Sequence, residues 1–133
     1  MHTQDDLEFD DFPRHCVRGT RGPEFVLQPR SHEPVFYKDT FSGFTNPSLL
    51  VELRQWQISE LHICGVATDY CVRATAMDAI ARNFKVSVLL DACRSVARPD
   101  SELYRRTALD LQSAGCRLVH KTDLVEPRVI SKK

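Results

Sequence analysis

Apolar positions along the chain fall into two regimes. Over residues 1–33 they recur without period, broken by Pro13, Gly19, Gly22-Pro23 and Pro29, and the stretch reads as loop with short turns. From residue 34 onward the pattern becomes regular. Pro34-Val35-Phe36-Tyr37 is a short apolar run of strand character. Asn46-Pro47 supplies an N-cap and an N1 proline, and the helix that follows sets Leu49, Leu50, Leu53 and Trp56 on one face. Leu61 to Val66 predicts the next strand. Thr68-Asp69 then caps a helix from about Tyr70 to Arg82, with Val72, Ala76, Ala79 and Ile80 as its apolar stripe. Alanine on that face allows close approach to a sheet. Val86 to Leu90 is almost continuously apolar, as in a parallel strand covered on both faces. A helix from about Ser101 to Ala114 stops at Gly115, and Cys116 to Val119 forms the last strand. Beyond Glu126-Pro127 no pattern remains.

Strand and helix therefore alternate, which predicts right-handed β-α-β units and an α/β fold: a mostly parallel sheet in a three-layer α/β/α arrangement. The 133 residues suit one domain, with a loop over 1–33, a core over 34–125 and a tail over 126–133. Ligands of such sheets bind beyond the carboxyl ends of the strands. Lys38 and the segment from Ala67 to Cys71 both follow strand ends, so they are expected to share a rim.

Composition narrows the partners. Eighteen Lys and Arg balance eighteen Asp and Glu, which argues against a nucleic-acid or membrane surface. No apolar run reaches the ~20 residues that span a bilayer. The first residues are acidic and polar, unlike a secretory signal, so a cytoplasmic protein is expected. Cysteines stand at 16, 64, 71, 93 and 116, an odd and scattered set without a C-x-x-C pair. Most are expected to be small buried hydrophobes. Cys71 differs, because it falls in the first turn of a helix. Unpaired N–H groups and the helix dipole there favour a thiolate and can hold an oxyanion. On these grounds alone, a reactive thiol and a structural cysteine remain equally open. Lys38, taken alone, reads as a solvated loop lysine, and His15 as a capping or core histidine.

The blocks taken together decide more. Gly65-Val66-Ala67-Thr68-Asp69-Tyr70-Cys71-Val72-Arg73-Ala74-Thr75-Ala76 resembles the nucleophile segment of nicotinamidases and related isochorismatase-like cysteine hydrolases. Phe12-Pro13-Arg14-His15-Cys16-Val17-Arg18-Gly19-Thr20, followed by Gly22, is similar to that family's metal-histidine segment. Phe36-Tyr37-Lys38 with Phe41-Ser42-Gly43-Phe44 is similar to its catalytic-lysine segment. The resemblance implies that Cys71 attacks an amide carbon with Lys38 beside it. It also implies that the Val66–Ala67 peptide is cis and that the N–H groups of Ala67 and Cys71 form the oxyanion hole. His2 and His15, with Glu8, would hold a divalent metal (zinc, iron or manganese). Phe12 would stack on the substrate ring, and Tyr70 would flank the thiol. His32, His62 and His120 are expected to be structural or exposed.

Two parts of the family pattern have no counterpart before His2: a strand ending in the aspartate that shuttles protons, and the metal-site aspartate. The chain is therefore expected to be the C-terminal part of a longer protein, lacking an N-terminal strand and helix and having little activity alone. Uncovered strand edges would invite pairing into a homo-oligomer. Asp69 is read as an N-cap in preference to a replacement proton shuttle. The function implied is hydrolysis of nicotinamide to nicotinate and ammonia through a thioester on Cys71, with a small amide as the substrate. The alternatives are a sibling hydrolase of a carbamoyl or ureido compound, and a non-catalytic remnant.

Overall fold

The computed structural model describes residue 10 and residues 13–25 and 27–124. His2, Glu8 and Phe12 lie outside the described residues. Three helices and three strands carry the architecture: α1 (Pro47–Gln55), β1 (Glu60–Val66), α2 (Arg73–Ala81), β2 (Lys85–Arg94), α3 (Glu102–Ser113) and β3 (Arg117–Val119). Local chemistry starts and stops them. Asn46 accepts the Ser48 N–H through its side chain, with Pro47 opening α1. Ser101 caps α3 by accepting the Tyr104 N–H at 3.2 Å. Gly115 leaves that helix at φ +95°, a conformation that a side chain would strain.

The strands form one parallel sheet in the order β1-β2-β3. Both crossovers advance in the same direction, so right-handed connections set α2 and α3 on the same face. Ala76 and Ala79 of α2 are fully buried, and they share a core with Phe44, Val86, Val88 and Leu111. The bidentate-capable Arg73 meets Asp110 at 2.7 Å and ties α2 to α3. Within β2, Val86, Ser87 and Val88 are all buried, as the apolar run predicts. β1 instead alternates, with Glu60, His62, Cys64 and Val66 exposed.

Four expectations need correction. Pro34 to Tyr37 is extended but joins no ladder among the described residues, and Val35 and Tyr37 are exposed. Pro34 lacks an N–H, and among the described residues no strand is paired beside the run. Trp56 is the C-cap of α1 and half exposed, past the turn on which Leu49, Leu50 and Leu53 pack. Thr68 and Asp69 do not cap a helix. A π-helical turn (Thr68–Val72) precedes α2, and Ala67 stands at its N-cap position without a side-chain bond. Finally, only Cys93 and Cys116 are buried, whereas Cys16 and Cys64 are exposed. Burial pushes the thiols of Cys93 and Cys116 up from their ordinary value.

His120, just past β3, faces Asp91 of β2, with Nδ1 and Oδ1 2.9 Å apart. The hydrogen bond and charge of Asp91 hold its pKa above the ordinary 6.5. A raised folded-state value stabilises the fold fully below the unfolded pKa and loses that contribution as pH rises through the folded one. The pair is solvent-exposed, so the effect is small. Melting curves of the parent chain and His120→Gln should differ slightly at mildly acidic pH and converge in alkali. A constant gap across that range would rule the titration out.

Candidate active site

The site begins at an irregularity in the sheet. Between Ile63 and Gly65 the β1–β2 register jumps: Ile63 pairs with Val88 and Gly65 with Cys93. Gly65 takes φ +126°, open to glycine and strained for other residues. The jump re-aims the chain immediately before the carboxyl end of β1. The Val66–Ala67 peptide that follows is cis, as expected. The π-helical turn then opens with Tyr70 and Val72 both donating their N–H groups to the Ala67 carbonyl, at 3.2 and 3.0 Å. Cys71 lies in this turn, half-buried.

Lys38 reaches the thiol from a different part of the chain. Its Nζ donates to the Thr40 carbonyl at 2.6 Å and lies 3.4 Å from Cys71 Sγ. Three bonds fix the loop that carries it. Ser42 Oγ donates to the Asp78 carboxylate at 2.6 Å, the Gly43 N–H donates to Thr75 Oγ1 at 2.9 Å, and Asn46 Nδ2 donates to the Tyr37 carbonyl at 2.8 Å. Thr75 and Asp78 belong to α2, the helix that Cys71 leads into. One helix therefore positions both the thiol and the ammonium. The contact sets a hydrogen-bond donor of the lysine directly beside the sulfur.

The pair opens onto a cavity of about 660 Å³, whose wall includes His15, Phe41, Tyr70 and Val96. The rings of Phe41 and Tyr70 pack at 5.4 Å between centroids, tilted by 42°. His15 is exposed, with Nδ1 2.8 Å from the Pro13 carbonyl. A carbonyl only accepts, so Nδ1 carries the proton, and in the neutral ring the ligating lone pair resides on Nε2. That tautomer fits a metal ligand, although among the described residues no group of three or more His, Cys, Asp or Glu is placed to hold an ion. His2 and Glu8, expected to complete the set, and Phe12, expected to stack on the substrate, lie outside the described residues.

Sequence reasoning missed two residues of this site. Val96 lines the cavity from the segment after β2, where nothing in the pattern marks it. Asp69 is buried, and its carboxylate accepts the N–H groups of Val96 at 3.1 Å and Ala97 at 2.8 Å. Both oxygens are thus engaged across the fold, which excludes the expected capping role.

A parallel sheet that presents a paired cysteine and lysine at its carboxyl rim defines the class: an α/β protein with a thiol site at a strand-to-helix junction. The chain belongs to the isochorismatase domain family, whose model matches residues 1–119. It is 32% identical over 130 residues to the nicotinamidase of Escherichia coli, covering 86% of this chain and 60% of that protein. It is 39% identical over 97 residues to the nicotinamidase/pyrazinamidase of Mycobacterium tuberculosis, covering 65% and 52%. Among solved structures, the pyrazinamidase of Pyrococcus horikoshii in complex with zinc superposes with a TM-score of 0.80 at 34% identity, over 90% of this chain and 70% of that one. The chain spans between 51% and 60% of the length of these curated relatives and of a Bacillus subtilis family member.

Proposed function

We propose that this chain carries the thiol half of an amide-hydrolase site of nicotinamidase type. One observation supports it above the rest: Lys38 Nζ stands 3.4 Å from Cys71 Sγ on the wall of an aromatic-lined cavity of about 660 Å³. Such a cavity accommodates a single ring with its carboxamide. The Cys71 thiolate adds to the amide carbon, forming a C–S bond and moving the carbonyl electrons onto oxygen. The N–H groups of Ala67 and Cys71 serve as donors to that oxyanion. Solvent water accepts the thiol proton and returns one to the nitrogen as the C–N bond breaks, so that ammonia leaves neutral. Water cleaves the resulting thioester and releases the carboxylate. Lys38 holds its proton throughout as the charge partner of the thiolate. Tyr70 and Phe41 form the apolar side against which a ring lies.

His15, with His2 and Glu8, would hold a divalent metal, and zinc, iron and manganese all suit imidazole with carboxylate. Such an ion supplies Lewis acidity toward a ring nitrogen. Exclusion of water from the cavity and orientation of the amide fall to the protein's own side chains.

A second reading has its own support. The N-carbamoylsarcosine amidase of Thermoplasma acidophilum superposes on this chain with a TM-score of 0.78 at 30% identity, over 95% of this chain and 70% of that one. Ammonia release and acyl-cysteine formation on Cys71, followed by mass spectrometry with nicotinamide and with N-carbamoylsarcosine, separate the two. Of the two, nicotinamide is expected to be the compound that acylates Cys71 in the presence of zinc, iron or manganese, with ammonia release at a low rate. Preference for the carbamoyl compound would establish the second reading, and silence toward both would leave a remnant that only binds.

A further inference from the structure

We propose that Asp69 is a positioning residue that holds Val96 as the wall against which a ring-bearing substrate is fixed beside Cys71. This deepens the amidase reading and rests on Cys71 as the nucleophile.

The argument starts from what does not hold Val96. The chain between β2 and α3 contains no strand or helix around residue 96. Val96 is itself 71% exposed, so burial supplies little of its placement. Yet it lines the cavity. Its backbone is tied down from the nucleophile side. Asp69, only 8% exposed, accepts the Val96 N–H on Oδ1 at 3.1 Å and the Ala97 N–H on Oδ2 at 2.8 Å. Bonds from backbone N–H groups to a carboxylate are stronger than those to neutral acceptors, and two at once fix orientation as well as distance. Asp69 sits two residues before Cys71 in the same π-helical turn. The clamp therefore references the wall to the thiol itself. Asp69 itself does not line the cavity. It acts through Val96.

The chemistry predicts selectivity. A small amide needs only the thiol and its charge partner. A ring needs a second contact to stay over the thiol, and Val96, which lines the same cavity as Phe41 and Tyr70, provides it. In Asp69→Asn one carboxylate oxygen becomes an NH₂ that faces a backbone donor, so one of the two bonds is lost. Val96→Ala leaves the clamp intact and removes only the wall.

The test compares the rate at which Cys71 is alkylated by iodoacetamide and by its N-phenyl derivative, in the full chain, with modification mapped by mass spectrometry. The ratio of phenyl to simple reagent should fall by about tenfold in both Asp69→Asn and Val96→Ala. The double variant should fall no further than either single one, because both act on one contact. A ratio unchanged in Val96→Ala, or losses that add in the double variant, would overturn the proposal. Val96→Ala decides the matter even where Asp69→Asn fails to fold, since its side chain is exposed. Should Cys71 of the unsubstituted chain resist both reagents, the amidase reading itself fails and takes this proposal with it. A reactive Cys71 with an unmoved ratio removes the clamp alone.

Discussion

Replacing Cys71 with alanine should reduce acylation and ammonia release from nicotinamide to background, a loss of roughly 10⁴-fold or more wherever activity is measurable. The size follows from what the thiol supplies. Covalent catalysis divides amide cleavage into two easier steps, and without Sγ the atom that forms the first bond is gone. The remaining parts (Lys38, the backbone donors and the cavity) can still bind an amide, so binding should persist while turnover vanishes. Cys71→Ser tests the same point more finely. A serine hydroxyl keeps the shape but ionises far less readily than a thiol, and Lys38 alone does not close that gap. Cys64→Ala, on the exposed side of β1, should leave the rate unchanged. Turnover that survives in Cys71→Ala would place the chemistry elsewhere and end the thioester mechanism.

The parts legible in the sequence are those where a local rule acts within a few residues. The apolar run of β2, the alanine face of α2 and the Ser101 and Gly115 limits of α3 each follow from periodicity or capping, and all are present. The meeting of Lys38 with Cys71 follows from segments that share the carboxyl rim of the sheet, although Lys38 reaches the rim from a pinned loop and not from a strand. What the pattern could not carry is contact made at long range by groups that look locally ordinary. Thr-Asp before a helix is capping chemistry by any local rule, yet the Asp69 carboxylate bonds 27 and 28 residues downstream. The segment it holds has no periodicity, so Val96 left no signal. Ser42, Thr75 and Asp78 are of the same kind: they are unremarkable in sequence, and together they dock the lysine loop onto α2. Trp56 misled in the opposite way. Its spacing matched the apolar face of α1, but the helix ends one residue earlier and releases it to the surface.

Under limiting iodoacetamide at neutral pH, Cys71 should be modified first among the five cysteines, and Lys38→Ala should remove about tenfold of that rate. Each competitor has a physical handicap. Cys93 and Cys116 are buried, and desolvation penalises their thiolates. Cys16 and Cys64 are exposed, but exposure gives access without activation, whereas Cys71 has Lys38 at 3.4 Å. The effect of Lys38 is electrostatic, so it should follow charge. Lys38→Arg should retain part of the advantage and Lys38→Met none. Two controls separate charge from disturbance of the loop. The deficit in Lys38→Ala should shrink as the buffer is made alkaline, because a free thiol ionises unaided above ~8.5. Asp78→Ala should instead lower the rate while leaving the lysine in place, because it frees the loop that Ser42 pins. It should also cost about 1–3 kcal/mol of stability, the usual penalty for stranding a buried hydroxyl such as that of Ser42. Labelling that reaches Cys16 or Cys64 before Cys71 would show that proximity of the two groups does not activate the thiol. An alanine deficit that persists undiminished in alkali would assign Lys38 a purely structural part.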